Sequence, residues 1–146
     1  VYKRQIYNGS ILINMEMEVA MYISIDFNSD EAIYQQLCNQ IIFAIATEQL
    51  REGEYLPSVR ELADTIGINM HTVNKAYALL RSQGYLQVDR RRGALVCIDM
   101  NQVQATLELR EKMRVLLAQA ICKNVAREDV HQIVDEIYNE YENYQP

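Results

Sequence analysis

Between residues 56 and 98 the apolar residues change period, and the change falls at a glycine. Val59, Leu62, Ala63 and Ile66 recur at helical spacing, which places them on one face of a helix. Ser58 precedes that face and Glu61 follows three residues later. At that spacing the hydroxyl and the carboxylate each accept from a backbone N–H the helix start leaves free. Pro57 stands just before, where a missing backbone donor costs little. Gly67 suits a left-handed helix end, Ile68 can anchor the turn, and Asn69 is a cap for a second helix. In that second helix Val73, Ala76, Tyr77 and Leu80 face inward. Met70, His71, Thr72, Asn74, Lys75, Ala78 and Arg81 face outward, and Gly84 ends it. Beyond Gly84 the period is two: Leu86 and Val88 alternate with Gln87, and an apolar run resumes from Leu95 to Ile98. Asp89, Arg90, Arg91, Arg92 and Gly93 lie between, so the segment is a hairpin with a basic turn. The pattern predicts a helix-turn-helix with a wing. Two helices this short cannot bury their faces alone, so a third element must cover them.

Three consecutive arginines at a hairpin tip repel one another unless an anion is near, although a solvated charged turn is the ordinary alternative. The formal net charge of −6 argues against a polyanionic partner, but its distribution does not. Residues 58–93 carry six cations (Arg60, Lys75, Arg81, Arg90, Arg91 and Arg92) against Glu61, Asp64 and Asp89, and the acid lies elsewhere. A basic front on an acidic body orients a protein on a duplex and weakens non-specific binding. The expected partner is double-stranded DNA, with the helix over 70–82 in the major groove and the wing along the backbone or minor groove.

The candidate DNA-binding residues follow. Ser58 is first a cap, and its helix start is also an anion site. Arg60, in the first turn, can reach a phosphate or donate two bonds to a guanine edge; a salt bridge to Glu61 or Asp64 is the alternative. His71, Thr72 and Asn74 lie where side chains meet base edges, Met70 can touch a thymine methyl, and Lys75 can reach a phosphate. Tyr77 is either a core residue alone or one whose hydroxyl also touches a phosphate. Arg90, Arg91, Arg92 and Gly93 form the wing tip.

The rest of the chain supplies the frame. Its 146 residues, 49% of them apolar, suffice for one domain and a small appendage. Residues 1–21 show no clean period and are set aside as an unassigned N-terminal extension, a candidate for disorder, with Met21 a candidate natural start. Residues 22–98 make the winged domain. Tyr22 to Phe27 alternates as a strand with Ile23, Ile25 and Phe27 on one side, and Asn28, Ser29 and Asp30 are turn and cap residues. A helix from about Glu31 to about Leu50, with Ile33, Leu37, Ile41, Ala44 and Ile45 as its stripe, is the covering third helix. Residues 99–146 form a helical tail. One helix runs from about Asn101 to Lys123, and a second, with Val130, Ile133, Val134, Ile137 and Tyr141 on its face, from about Arg127. This pair carries more apolar surface than one hairpin hides, so a homodimer through the C-terminal helices is expected. Two helices are also too few to enclose a roomy effector pocket. The fold class is mainly α with a small β-hairpin: a winged helix-turn-helix plus a short two-helix dimerisation segment.

Other chemistry finds no support. The longest apolar run, Ile41 to Ala46, is far below the ~20 residues of a membrane span, and Ile11 to Ile13 is too brief for a secretory signal. Cys38, Cys97 and Cys122 are far apart and read as reduced thiols of a cytoplasmic protein. With only His71 and His131 available, neither a metal site nor a cofactor is expected. No Gly-rich phosphate loop, nucleophile set or purposeful carboxylate pair marks an enzyme.

Leu56, Pro57, Ser58, Arg60, Leu62 and Ala63, then Gly67 and Ile68, then Thr72, Val73, Lys75, Ala76, Tyr77 and Leu80, then Gly84, Tyr85 and Leu86, resemble in order the signature of GntR-family transcriptional regulators. Ile33, Tyr34, Gln35 and Gln36 are similar to a typical opening of that family, and the short tail is most similar to its YtrA-like branch. The resemblance implies a dimeric bacterial regulator, a repressor, reading an inverted repeat, with control of a transporter operon and of its own gene. It also implies DNA contact by Arg60. Met70 and His71 depart from residues common among relatives, so the docking mode transfers and the sequence preference does not. Two alternatives stand beside this: a winged-helix module meeting an acidic protein, and the DNA-binding end of a larger enzyme-fused regulator, which the complete-looking tail disfavours.

Overall fold

The computed structural model describes residues 3–7, 10–14, 20–89 and 91–145, with side chains from Met21 onward. The chain divides into two units, Val1–Asp99 and Met100–Pro146.

The first unit opens with three antiparallel strands in sequence order: β1 (Lys3–Tyr7), β2 (Ser10–Asn14) and β3 (Ala20–Ile23). Lys3 pairs with Asn14, and Asn14 with Ala20. Strands therefore stand within a stretch to which the sequence assigned none. β3 also ends sooner than the alternation from Tyr22 to Phe27 suggests, and Phe27 is 67% exposed. The reason lies on the next helix. The buried Gln36 accepts from the Asp26 N–H and donates to the Asp26 carbonyl, and Gln40 does the same for Ser24. Two side-chain amides satisfy the backbone there, so no ladder continues.

That helix, α1, spans Ile33–Ala46 and is shorter than the expected 31–50. Its start carries no side-chain cap; Ser29 bonds the Glu31 N–H within the preceding loop instead. At its end Glu48 adopts a φ of 58°, the Leu50 N–H returns to the Ala44 carbonyl, and Leu50 folds into the core. Leu50 thus keeps helical spacing without being helical. Leu37, Cys38, Ile41 and Ala44 are the buried stripe, with Ile45 packed at its edge.

A two-residue strand, β4 (Tyr55–Leu56), precedes α2 (Val59–Ile66), α3 (Met70–Ser82), β5 (Leu86–Asp89) and β6 (Gly93–Val96). The sheet order is β4-β6-β5, so the expected hairpin is a three-stranded sheet. β4 is too short to show any period. The core joins Leu37, Ile41, Leu56, Leu62, Val73, Leu80 and Val96, none more than 1% exposed. Of the α2–α3 pair, α1 packs chiefly on α3, and the cores of α1 and α2 join in one cluster. Core apolar area contributes roughly 25 cal/mol per Å2 removed from water, so this unit has its own source of stability.

In the second unit α4 (Gln102–Cys122) begins at Asn101, whose side chain accepts from the Gln104 N–H. Asn124, at φ 56°, makes the break before α5 (Arg127–Glu142). Neither helix has a buried residue. Leu117, Ala120, Ile121, Val125, Arg127, Val130 and His131 line a hollow of about 360 Å3, where the sequence left little room for one. Among the described residues no helix is long and apolar enough to cross a membrane.

Candidate nucleic-acid interface

The helix-turn-helix is assembled from the local signals that announce it. Ser58 caps α2: its Oγ accepts from the Glu61 N–H, and the Glu61 carboxylate accepts from the Ser58 N–H at 3.0 Å and from its hydroxyl at 2.8 Å. Gly67 closes α2 at φ 79°, a conformation that costs a glycine little. Asn69 caps α3 through the His71 N–H at 2.8 Å.

The capping geometry bears on Arg60. Glu61, one candidate salt-bridge partner, is committed to Ser58, and among the described residues Arg60 enters no ion pair. It stands exposed in the first turn of α2. On α3, His71, Asn74, Lys75 and Ala78 are exposed, Met70 is 48% exposed and Thr72 is half-buried. This outward face sits opposite the buried Val73, Ala76 and Leu80. Tyr77 is 2% exposed and its hydroxyl donates to the Pro57 carbonyl at 2.9 Å. It is a core residue that ties α3 to the start of α2.

In the wing, Arg91 and Arg92 are exposed; Arg90 lies outside the described residues. The Asp89 carboxylate accepts from the Arg91 and Arg92 N–H groups at 2.8 and 3.2 Å and so shapes the turn. Gly93 is buried at φ 102°. A Cβ there would collide with the Leu56 carbonyl and come within 3.0 Å of Pro57 and Ser58. Gly93 therefore allows backbone to approach backbone at the base of the wing.

Three parts thus meet at one tripeptide. Leu56, Pro57 and Ser58 lead into α2, receive the hydroxyl of Tyr77 from α3, and carry the base of the wing through Gly93. The start of α2, α3 and the base of the wing are thereby tied to one short segment. Two aromatic rings attend these parts that local spacing did not single out as part of the site. The Lys75 ammonium lies over the Tyr34 ring, 3.8 Å from its centroid, and the Arg92 guanidinium lies 6.0 Å from that of Tyr55. Both pairings join residues far apart in sequence, so no local pattern could show them. Among the described residues no group of histidine, cysteine and carboxylate side chains could hold a metal ion.

The model of bacterial regulatory proteins of the gntR family matches residues 33–96, which span α1 to β6. The HTH-type transcriptional repressor YtrA of Bacillus subtilis (strain 168) is 33% identical over 120 residues, covering 79% of this chain and 91% of that protein. Among solved structures, YtrA from Sulfolobus acidocaldarius, a GntR-family transcription factor, is 40% identical with a TM-score of 0.58, covering 68% of this chain and 97% of that one. A transcriptional antiterminator from Listeria monocytogenes EGD-e is 26% identical with a TM-score of 0.73, covering 84% and 96%.

Proposed function

The chain belongs to the gntR family of bacterial regulatory proteins, whose members are DNA-binding transcription factors rather than enzymes, and from that premise we propose a dimeric repressor that reads an inverted repeat. The observation that supports it best is the convergence on Leu56, Pro57 and Ser58 of the three parts that would touch a duplex. α3 enters the major groove, with Met70, His71 and Asn74 at base edges and Thr72 and Lys75 toward phosphates. Arg60 flanks it on a phosphate or a guanine, the start of α2 at Ser58 offers backbone N–H groups to a phosphate, and Arg90, Arg91 and Arg92 follow the backbone or minor groove. Cytoplasmic location follows from a chromosomal partner.

Dimerisation falls to the tail. Val103, Leu107, Leu109, Leu116, Ile121, Ile133 and Ile137 are each 42–73% exposed in a single copy. So many exposed large apolar side chains on two helices suit an interaction surface, and a two-fold copy matches a two-fold DNA site. Similarity to the repressor YtrA of Bacillus subtilis supports repression; the targets we propose are a transporter operon and the protein's own gene.

The test is footprinting on duplexes tiled across the region upstream of its own gene. Protection of two half-sites about one helical turn apart is expected. Arg60→Ala should weaken binding by about 1–3 kcal/mol. Replacing all three wing arginines by alanine should flatten the slope of log affinity against log salt by about 0.9 for each phosphate no longer neutralised. Uniform, weak binding along every duplex, unchanged by either variant, would point instead to a module for an acidic protein.

A further inference from the structure

We propose that Tyr34, on α1 and outside the helix-turn-helix, is a positioning residue for DNA binding, because its ring seats the Lys75 ammonium without cancelling its charge. The inference rests on the DNA-binding reading above. Lys75 is exposed in the second turn of α3, on the flank of the outward face nearest α1. The same flank is fixed one residue later, where the Cys38 thiol of α1 donates to the Ala76 carbonyl at 3.5 Å. Tyr34 precedes Cys38 by one helical turn, so the two residues present one stripe of α1 to one stretch of α3. Tyr34 is half-buried and packs on the core, which leaves its ring little freedom.

The choice of an aromatic partner matters. A carboxylate at that place would hold the lysine equally well and neutralise it. A ring attracts the cation through its quadrupole and leaves the net charge intact. Among the described residues Lys75 enters no ion pair. Its ammonium therefore keeps a full charge for a phosphate, while contact with the ring narrows the side chain's conformations before binding. A lysine in solution must lose that conformational freedom on binding. Arg92 above Tyr55 is a looser instance of the same arrangement on the wing.

The experiment is a double-mutant cycle on the full chain. Tyr34→Leu, Lys75→Met and the double variant are titrated with a labelled random-sequence duplex of ~30 base pairs at several salt concentrations. Tyr34→Leu should weaken binding about 2- to 5-fold when Lys75 is present and have no effect in the Lys75→Met background. Tyr34→Phe, which keeps the ring, should bind as the parent does. Equal losses from Tyr34→Leu in both backgrounds would mean that the ring acts only through the fold, and would overturn the proposal. A loss from Tyr34→Phe matching that of Tyr34→Leu would overturn it too. A second measurement needs no DNA: the Lys75 ε-protons should resonate upfield in the parent and return to ordinary positions in Tyr34→Leu. Ordinary positions in the parent overturn the seat. A parent with the upfield shift but no salt-dependent binding overturns the DNA-binding reading, and the seat's role with it. A parent that binds without coupling between the two residues overturns the seat alone.

Discussion

The two units of this chain are built from similar proportions of apolar residues and arrive at opposite outcomes. In the winged unit Leu37, Ile41, Leu56, Leu62 and Leu80 are fully buried. In the tail no residue of either helix is buried, and Leu109, Val115, Leu116 and Ile121 are all more than half exposed. The difference is one of layers. Three helices and a small sheet can enclose a core, whereas a helix pair has only one inner seam and leaves its other faces open. The winged unit carries its own core; the tail leaves apolar faces open.

The sharpest way to break this contrast is a matched pair of truncations. Leu62→Ala should cost about 2–5 kcal/mol in urea denaturation, at any protein concentration. Leu116→Ala should cost nothing that is independent of concentration, and its effect should grow as the protein is concentrated and a dimer forms. Equal, concentration-independent losses at the two sites would end the distinction. Gly93→Ala comes next. Its positive φ and the backbone beneath it predict a loss of about 1–3 kcal/mol in thermal melts, together with weaker duplex binding in the same preparation. Tyr77→Phe leaves the Pro57 carbonyl without its donor and should cost about 1–2 kcal/mol by urea denaturation, with a smaller loss of DNA affinity. Ser58→Ala should cost about 1 kcal/mol in the same assay.

The smallest effect at neutral pH concerns the thiols. Burial pushes the Cys38 thiol up to about 11, while Cys122 is exposed. A colorimetric thiol titration of the folded protein should report Cys122 quickly and Cys38 only after unfolding. A thiol raised in the folded state favours folding while protonated in both states. Its contribution is therefore intact below about pH 8.5 and is lost as pH climbs toward 11. A melting temperature constant from pH 8 to 11 in the parent, or a decline unchanged in Cys38→Ala, would remove Cys38 as its cause.

What the sequence disclosed follows the same division between local and distant causes. Ser58 with Glu61, Gly67 and Asn69 announce their elements because a cap or a left-handed turn needs only neighbours in the chain. The arginine turn is legible for the same reason. The strand β4 is not, since two residues have no period, and it exists only because β6 lies beside it. Leu50 deceives because apolar spacing continues after the backbone has turned. Gln36 looks like a surface residue and is buried, because its partner is the backbone of Asp26, ten residues earlier. In the candidate site, the outward face of α3 is readable from spacing, while the fate of Tyr77 and the seat under Lys75 depend on elements brought together by the fold.

The close approach of Gly93 to Leu56 also bears on how such proteins can be re-engineered. A designer wishing to exchange one regulator's wing for another's would take the turn and its two flanking strands as a cassette. Here the cassette has no clean edge at that end: the last residue before α2 is already part of the wing's foundation. A transplant has to carry residues 55–58 along with residues 86–96, or the new loop will stand on a base cut for another.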